Sequence, residues 1–151
     1  MKMIASLCSV FAGLTFFSLA MGQVQDSDRS TKELQKLQGS WRFVSSQVGD
    51  EKAAEVEVKK RKITVTGDKL IYEYGNDRKE KREGTIRIDP ETKAFDWIID
   101  IDGGETMQAI YELKGDDLKI GFGNDGMVRP TRFVMSKEQV AWLLVLKRAK
   151  P

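Results

Sequence analysis

The side chains available for catalysis in this chain are carboxylates, lysines, tyrosines and serines. The 151-residue sequence contains no histidine, and its only cysteine, Cys8, lies in an apolar N-terminal run. Histidine-assisted nucleophilic catalysis is therefore excluded, as are the usual zinc and copper ligands. Alternation along a strand places Asp96 and Asp100 on one face, where a solvent-facing stripe is the simpler interpretation. We expect no enzyme, and hydrolysis by these two carboxylates is the alternative.

Two further motifs carry metal or cofactor chemistry in other proteins. Asp100-x-Asp102-Gly103-Gly104-Glu105 places carboxylates around a glycine turn, but it does not follow the order of an EF-hand loop. Gly121 to Gly126 satisfies G-x-G-x-x-G, yet Met127-Val128-Arg129-Pro130 is a poor start for the helix that a dinucleotide site requires. We therefore predict neither a metal nor a cofactor.

Two basic clusters, Lys59 to Lys62 and Arg78 to Arg82, are candidates for contact with an anionic surface. Acidic residues interrupt the second cluster, and no aromatic residue accompanies the first. Charge runs of this length are usually solvated loops, and this is the interpretation we favour. We expect no nucleic-acid partner, and the sequence identifies no protein partner.

Aromatic residues recur on alternating positions throughout the chain. In a small barrel such side chains either line a cavity for one apolar ligand or fill a packed core, and the sequence leaves both open. The candidate lining residues are Phe43, Tyr72, Tyr74, Trp97, Tyr111, Phe122 and Trp142.

The N-terminus has the features of a secretory signal peptide. Lys2 precedes an apolar run from Met3 to Met21, and Ala20-Met21-Gly22 suits signal peptidase, which predicts cleavage after Gly22. An uncleaved membrane anchor is the alternative. We expect a signal peptide over residues 1–22, a flexible leader over 23–29 and an exported protein, periplasmic, extracellular or at the cell surface, with no stable membrane insertion after cleavage.

The remaining chain, residues 30–150, predicts a single β domain. A capping box at Ser30 to Glu33 indicates a short helix from Thr31 to Gln38. Period-two alternation then follows, with Trp41, Phe43 and Ser45 on one strand face and Ser46 on the other. Ala53 to Arg61 reads either as a helix or as an edge strand. Further strands are predicted at 63–66, 70–74, 85–88, 95–101, 107–113, 118–122, 131–135 and 140–146.

Turn residues at intervals of 8 to 12 residues favour an all-β, up-and-down antiparallel barrel of about 8 strands. Its first and last strands must pair to close the sheet. We expect Gly39 and Trp41 on one side of this seam and Arg148 on the other, with the guanidinium over the indole.

Several blocks, taken together and in order, are similar to a lipocalin-like domain family found mainly in planctomycete bacteria. They are Leu37-Gln38-Gly39-Ser40-Trp41, Thr66-Gly67-Asp68-Lys69-Leu70, Ile88-Asp89-Pro90, Ile110 to Ile120, Arg129-Pro130-Thr131-Arg132-Phe133 and Leu144-Val145-Leu146-Lys147-Arg148. The resemblance implies a lipocalin-like barrel, and Gly39, Trp41 and Arg148 match its Gly-x-Trp and basic positions. It implies no particular activity. The lid loop and disulfide of longer lipocalins have no counterpart in the sequence.

The leading hypothesis is an exported lipocalin-like barrel that binds a small hydrophobic or amphipathic ligand. The alternative is a packed barrel that acts as a protein-interaction module in the cell envelope without a ligand.

Overall fold

A computed structural model describes residues 21–75, 80–101, 103–124 and 128–150 of the chain. Two helices occur in these residues, α1 (Met21–Leu37) and α2 (Glu55–Val58). The strands are β1 (Gly39–Val48), β2 (Glu51–Lys52), β3 (Lys62–Thr66), β4 (Lys69–Tyr74), β5 (Glu80–Asp89), β6 (Ala94–Ile99), β7 (Glu105–Lys114), β8 (Asp117–Phe122) and β9 (Trp142–Arg148). Neither helix is long and apolar enough to cross a membrane.

The strands form an antiparallel barrel. β1 and β3 to β9 pair with their neighbours in sequence order, and β1 also pairs with β9, while the two-residue β2 adds to β1 alone. Closure removes the unpaired N–H and C=O groups of two edge strands. The prediction of an up-and-down barrel of about eight strands is confirmed, and so is the pairing of its first and last strands.

The core fills the barrel with side chains from alternating positions. Along β6, Phe95, Trp97 and Ile99 face inward and are at most 3% exposed. A β-bulge interrupts this alternation in β1, where the partners of Phe43 and Ser45 are the consecutive residues Leu146 and Val145. The extra residue, Val44, shifts the phase of the strand, so Ser46 is buried inside the barrel. The prediction that Ser46 faces outward is therefore wrong.

The N-terminal helix is longer than the sequence analysis predicted. Within the described residues α1 starts at Met21, so the segment 23–29 is helical and Ser30 lies inside the helix instead of capping it. Pairs one turn apart stabilise this polar stretch, including Lys32 with Asp28 at 3.1 Å. The helix ends before Gly39, whose φ of 106° favours glycine. The apolar run ahead of Met21, with the predicted signal peptide, lies outside the described residues.

The predicted strand at 131–135 is also wrong. This stretch belongs to an irregular segment, 128–141, with a single bridge between Met135 and Val140. Pro130 and Val140 are buried, and the methyl groups of Val140 approach Gly121 so closely that a Cβ there would lie 2.8 Å from one of them. The segment therefore packs on the outside of β8, where glycine leaves room for it.

The ambiguous stretch from Ala53 to Arg61 connects β1 to β3 and contains α2. Val58 of this helix is buried in the same cluster as the barrel core, and Ala53 packs against that cluster. This connection follows the ends of β1 and β2 and covers part of the barrel end opposite α1. We call that end, where Ser46, Arg61, Tyr74 and Trp142 lie, the mouth.

Candidate functional site at the barrel mouth

The end of the barrel beside α1 is closed by Trp41 and Arg148. The Arg148 guanidinium carbon lies 4.3 Å from the centroid of the Trp41 ring, and the two residues are paired across β1 and β9. Trp41 is fully buried. The predicted contact between guanidinium and indole is therefore present in the structure.

The same two side chains also cap α1. The last carbonyls of a helix lack intrahelical partners. Arg148 donates to Lys36 O at 2.7 Å and to Gln38 O at 2.6 Å, while Trp41 Nε1 donates to Leu37 O at 2.8 Å. Arg148 Nε also donates a hydrogen bond to Asp116 Oδ1 at 2.9 Å. Strand closure and helix docking therefore depend on one cluster.

A second polar contact joins α1 to the barrel wall. The Tyr111 hydroxyl donates to Glu33 Oε1 at 3.3 Å, and Lys93 Nζ lies 3.8 Å from the same oxygen. Hydrogen bonding from Lys36, the charge of Lys93 and the bond from Tyr111 lower the pKa of Glu33, against the opposing effect of burial. Burial, together with the Glu33 charge, raises the pKa of Tyr111, so its phenol stays protonated.

The predicted aromatic lining is a connected cluster of rings. Tyr72 is its centre, with ring centroids 5.6 Å from Phe43, 5.1 Å from Tyr74 and 6.3 Å from Trp97. Trp142 lies 6.2 Å from Tyr72 and stacks on Phe122 at 5.1 Å. Tyr74 and Trp142 are only partly buried, whereas the other four are buried. These two rings are therefore the accessible part of the cluster.

Tyr111 does not belong to the mouth. It lies toward α1, where its hydroxyl is occupied by Glu33, and it reaches the other rings only through Phe95, 6.3 Å away. Phe95 also contacts Phe122 edge-on at 6.3 Å and is fully inside the barrel. The alternation in β6 indicated Phe95 as clearly as Trp97, yet Phe95 was not among the predicted lining residues.

Polar groups at the mouth converge on Ser46. Its hydroxyl oxygen is 3.1 Å from Arg61 Nη1 and 3.1 Å from Trp142 Nε1, and both nitrogens donate to it. Arg61 is half-buried, so this residue of the first basic cluster is not part of a solvated loop. The sequence analysis missed both Ser46 and Arg61, because the bulge reverses the face of one and a run of lysines surrounds the other.

A second arginine reaches the mouth from the opposite side of Tyr72. Arg82 is the cross-strand partner of Tyr72, and directly opposed residues point to the same face of a sheet. Burial raises the pKa of Tyr72, while the positive charges of Arg61 and Arg82 oppose that rise. Both guanidinium groups therefore act electrostatically on the phenol at the centre of the ring cluster.

Trp97 carries a buried donor without an acceptor. Its side chain is 3% exposed, and Nε1 has no hydrogen-bond partner among the residues that the structure describes. The indole nitrogen lies close to β5, where a Cβ on Gly84 would be only 2.6 Å from it. An unpaired buried N–H is rare in folded proteins and often marks a functional position.

The carboxylates considered for catalysis are separate from the mouth. Asp96 lies on the outer face of β6 and accepts a hydrogen bond at 2.7 Å from Arg129 Nη2, which anchors the segment 128–141. Asp100 is exposed beyond the end of β6. In the described part of the chain no group of three or more carboxylates is placed to hold a metal, and Asp102 of the acidic turn lies outside the described residues.

No family model matches this chain, and no curated protein or solved structure matches it either.

Proposed function

We propose that the protein binds a small apolar or amphipathic molecule at the barrel mouth. The observation that carries this proposal is the position of Tyr74 and Trp142, two partly exposed rings continuous with a buried aromatic cluster. The opposite end is closed by α1, Trp41 and Arg148. A ligand that enters from the mouth would cover apolar ring surface, and each Å² of apolar area removed from water contributes about 25 cal/mol.

The export and family membership of the protein are part of the same proposal. They are supported by the apolar N-terminal run and by the ordered sequence blocks around Trp41 and Arg148. In that setting the barrel acts as a lipocalin-like binding protein of the periplasm or cell surface.

The experiment is native mass spectrometry of the protein purified without denaturation, followed by titration of the stripped protein with the molecule found. We expect a bound small molecule and at least tenfold weaker binding in Trp142→Ala and Tyr74→Ala. Phe133→Ala is the matched control, because its ring lies outside the barrel, against Lys119 and beside Gly121. A protein that carries no molecule and binds none of a panel of apolar compounds contradicts the proposal.

The second candidate, a protein-interaction module, rests on a different observation. Three apolar residues at the mouth end are each more than half exposed: Val48 in β1, Val56 in α2 and Ile101 just after β6. Exposed apolar side chains grouped at one end of a barrel are typical of a contact surface. Crosslinking in intact cells distinguishes this function, because it predicts a discrete protein adduct at these positions and no retained small molecule.

A further inference from the structure

We propose that the mouth recognises the anionic group of a small planar aromatic molecule, such as an aromatic carboxylate. Arg61 and Arg82 would bind the anion, and the Trp97 N–H would be an inner donor. This inference rests on the proposed function and adds the chemical class of the ligand.

Neither arginine has a carboxylate partner among the residues that the structure describes. No salt bridge to either guanidinium is found within the described ranges of the chain, although their basic neighbours are paired. Those pairs are Lys60 with Glu57 at 2.8 Å, Lys62 with Glu73 at 2.9 Å and Lys81 with Glu83 at 2.6 Å. Glu80 lies two residues from Arg82 on the same strand face and does not pair with it. Within the described residues, both guanidinium groups are therefore available to an anionic ligand.

The geometry directs that charge toward the aromatic cluster. Arg61 is fixed by Ser46, which also binds Trp142, and Arg82 lies across from Tyr72. A guanidinium presents a planar fork of donors that matches a carboxylate in two parallel hydrogen bonds. An anion between these groups would have its apolar body against the rings of Tyr74 and Trp142.

The Trp97 donor supplies an independent observation. Gly84, beside which Nε1 lies, follows Arg82 by two positions on the inner face of β5, about 7 Å deeper at strand spacing. A buried N–H without an acceptor carries a desolvation cost that a bound acceptor removes. An extended arginine side chain spans the roughly 7 Å between the positions of Arg82 and Gly84 along the strand. A carboxylate held by the guanidinium would then have one oxygen near Trp97 Nε1, which satisfies both features of the site.

The ring content of the mouth favours a flat molecule. The rings of Phe43, Tyr72 and Tyr74 are stacked within 29° of one another in successive pairs, and those of Phe122 and Trp142 within 26°. Offset-stacked rings accept a further aromatic ring at similar spacing. A planar ligand would therefore extend a stack that already exists.

The test compares 2-naphthoate with the uncharged 2-naphthamide by isothermal titration calorimetry at pH 7.5. We expect naphthoate to bind at least tenfold more tightly, and Arg82→Gln and Arg61→Gln to remove most of that difference. The matched controls are Lys81→Gln, on the outer face next to Arg82, and Lys60→Gln, next to Arg61. Both controls should keep the wild-type preference, although each loses the same charge.

Trp97→Phe tests the inner donor. It keeps a ring and removes the unpaired N–H, so we expect naphthoate binding at least threefold weaker in a barrel that is still folded by circular dichroism. Its melting temperature should fall, because the smaller ring leaves a cavity in the core. Unchanged naphthoate binding in this variant overturns the role of Trp97. Arg82 is exposed, so Arg82→Gln remains informative if Arg61→Gln fails to fold by circular dichroism.

The outcomes separate this inference from the proposed function. Equal binding of naphthoate and naphthamide overturns anion recognition and leaves an apolar site in place. Failure of both probes to bind, with a small molecule still retained in native mass spectrometry, also overturns it. If both probes fail and no molecule is retained, the proposed function falls together with the inference.

Discussion

Arg148 connects three parts of the molecule through one side chain. It stacks on Trp41, pairs with Asp116 and donates to two carbonyls at the end of α1. Arg148→Lys keeps the charge but loses the planar fork that makes these contacts together. We expect the free energy of unfolding to fall by about 2 kcal/mol, since hydrogen bonds to charged groups contribute about 1.5 to 3 kcal/mol.

Urea denaturation followed by tryptophan fluorescence measures this loss. Lys147→Ala is the control, because its ammonium is 3.9 Å from Asp117 and both side chains are largely exposed. Exposed pairs of this kind contribute about 0 to 1 kcal/mol. If Arg148→Lys is no less stable than Lys147→Ala, the contacts of the Arg148 guanidinium with α1 do not stabilise the fold.

Glu33 makes the free energy of unfolding depend on pH in the acidic range. Its folded-state pKa is lowered by Lys36, Lys93 and Tyr111, so its contribution is present above the unfolded pKa of about 4.3. That contribution is lost as the pH falls through the lower folded value. We expect Glu33→Gln to be less stable than wild type at pH 7, and the difference to shrink by pH 2.5.

Unfolding curves at several pH values measure the difference. Tyr111→Phe in both backgrounds isolates the Tyr111 bond, and its effect at pH 7 should be smaller when Gln replaces Glu33. Parallel stability profiles for wild type and Glu33→Gln would mean that the carboxylate does not interact with its basic neighbours.

At the scale of the element, the bulge in β1 determines which side chains enter the barrel. Val44 is the extra residue and is 58% exposed. Deleting Val44 leaves Phe43 and Ser46 separated by one residue, so both still face inward. We expect this variant to fold, with a loss of no more than about 1 to 3 kcal/mol from local strain.

Deleting Arg42 is the matched experiment. It shortens the same strand by one residue, but it places Phe43 directly after Trp41, so the two can no longer share the inner face. The loss of a buried phenylalanine costs about 3 to 5 kcal/mol. The bulge assignment predicts that ΔArg42 is clearly the less stable deletion in thermal unfolding, and the reverse order would disprove it.

The elements predicted from the sequence are those with strong periodicity. β6 alternates Phe95, Trp97 and Ile99 with polar or less buried neighbours, and the seam was marked by Trp41 and Arg148. The bulge gives no comparable pattern, because Val44-Ser45-Ser46 is compatible with either phase. Helix α1 was predicted too short, because its first half has no apolar periodicity, and the charge pair of Asp28 with Lys32, one turn apart, links that half to the rest of the helix.

In the site, too, the features that local sequence pattern predicts differ from those that depend on strand pairing. Aromatic residues at alternating positions predicted the ring cluster without knowledge of strand register. Arg61 and Arg82 were hidden in charged runs, and only the pairing of Arg82 with Tyr72 places it on the inner face. The unpaired Trp97 donor depends on the backbone beside Gly84, which no sequence pattern specifies.

At the scale of the whole molecule, we expect one end of the barrel to stabilise the fold and the other to bind the ligand. The end at α1 is held by buried apolar and capping contacts, and Leu37, the last residue of α1, is fully buried. The mouth contains partly exposed rings and two arginines that have no carboxylate partner among the described residues. Because distant sites without shared partners contribute almost additively, stability and binding should be separable by mutation.

Leu37→Ala tests that separation. Removing a buried leucine side chain costs about 2 to 5 kcal/mol, so we expect a lower unfolding midpoint in urea. Binding of naphthoate at the mouth should stay within twofold of wild type under conditions where the variant is fully folded. Arg82→Gln should do the opposite, with naphthoate bound about as weakly as naphthamide and the midpoint unchanged, because its side chain is exposed. If Leu37→Ala weakens binding tenfold while circular dichroism shows a folded barrel, the two ends are coupled through the core, and α1 controls access to the ligand site instead of only closing the barrel.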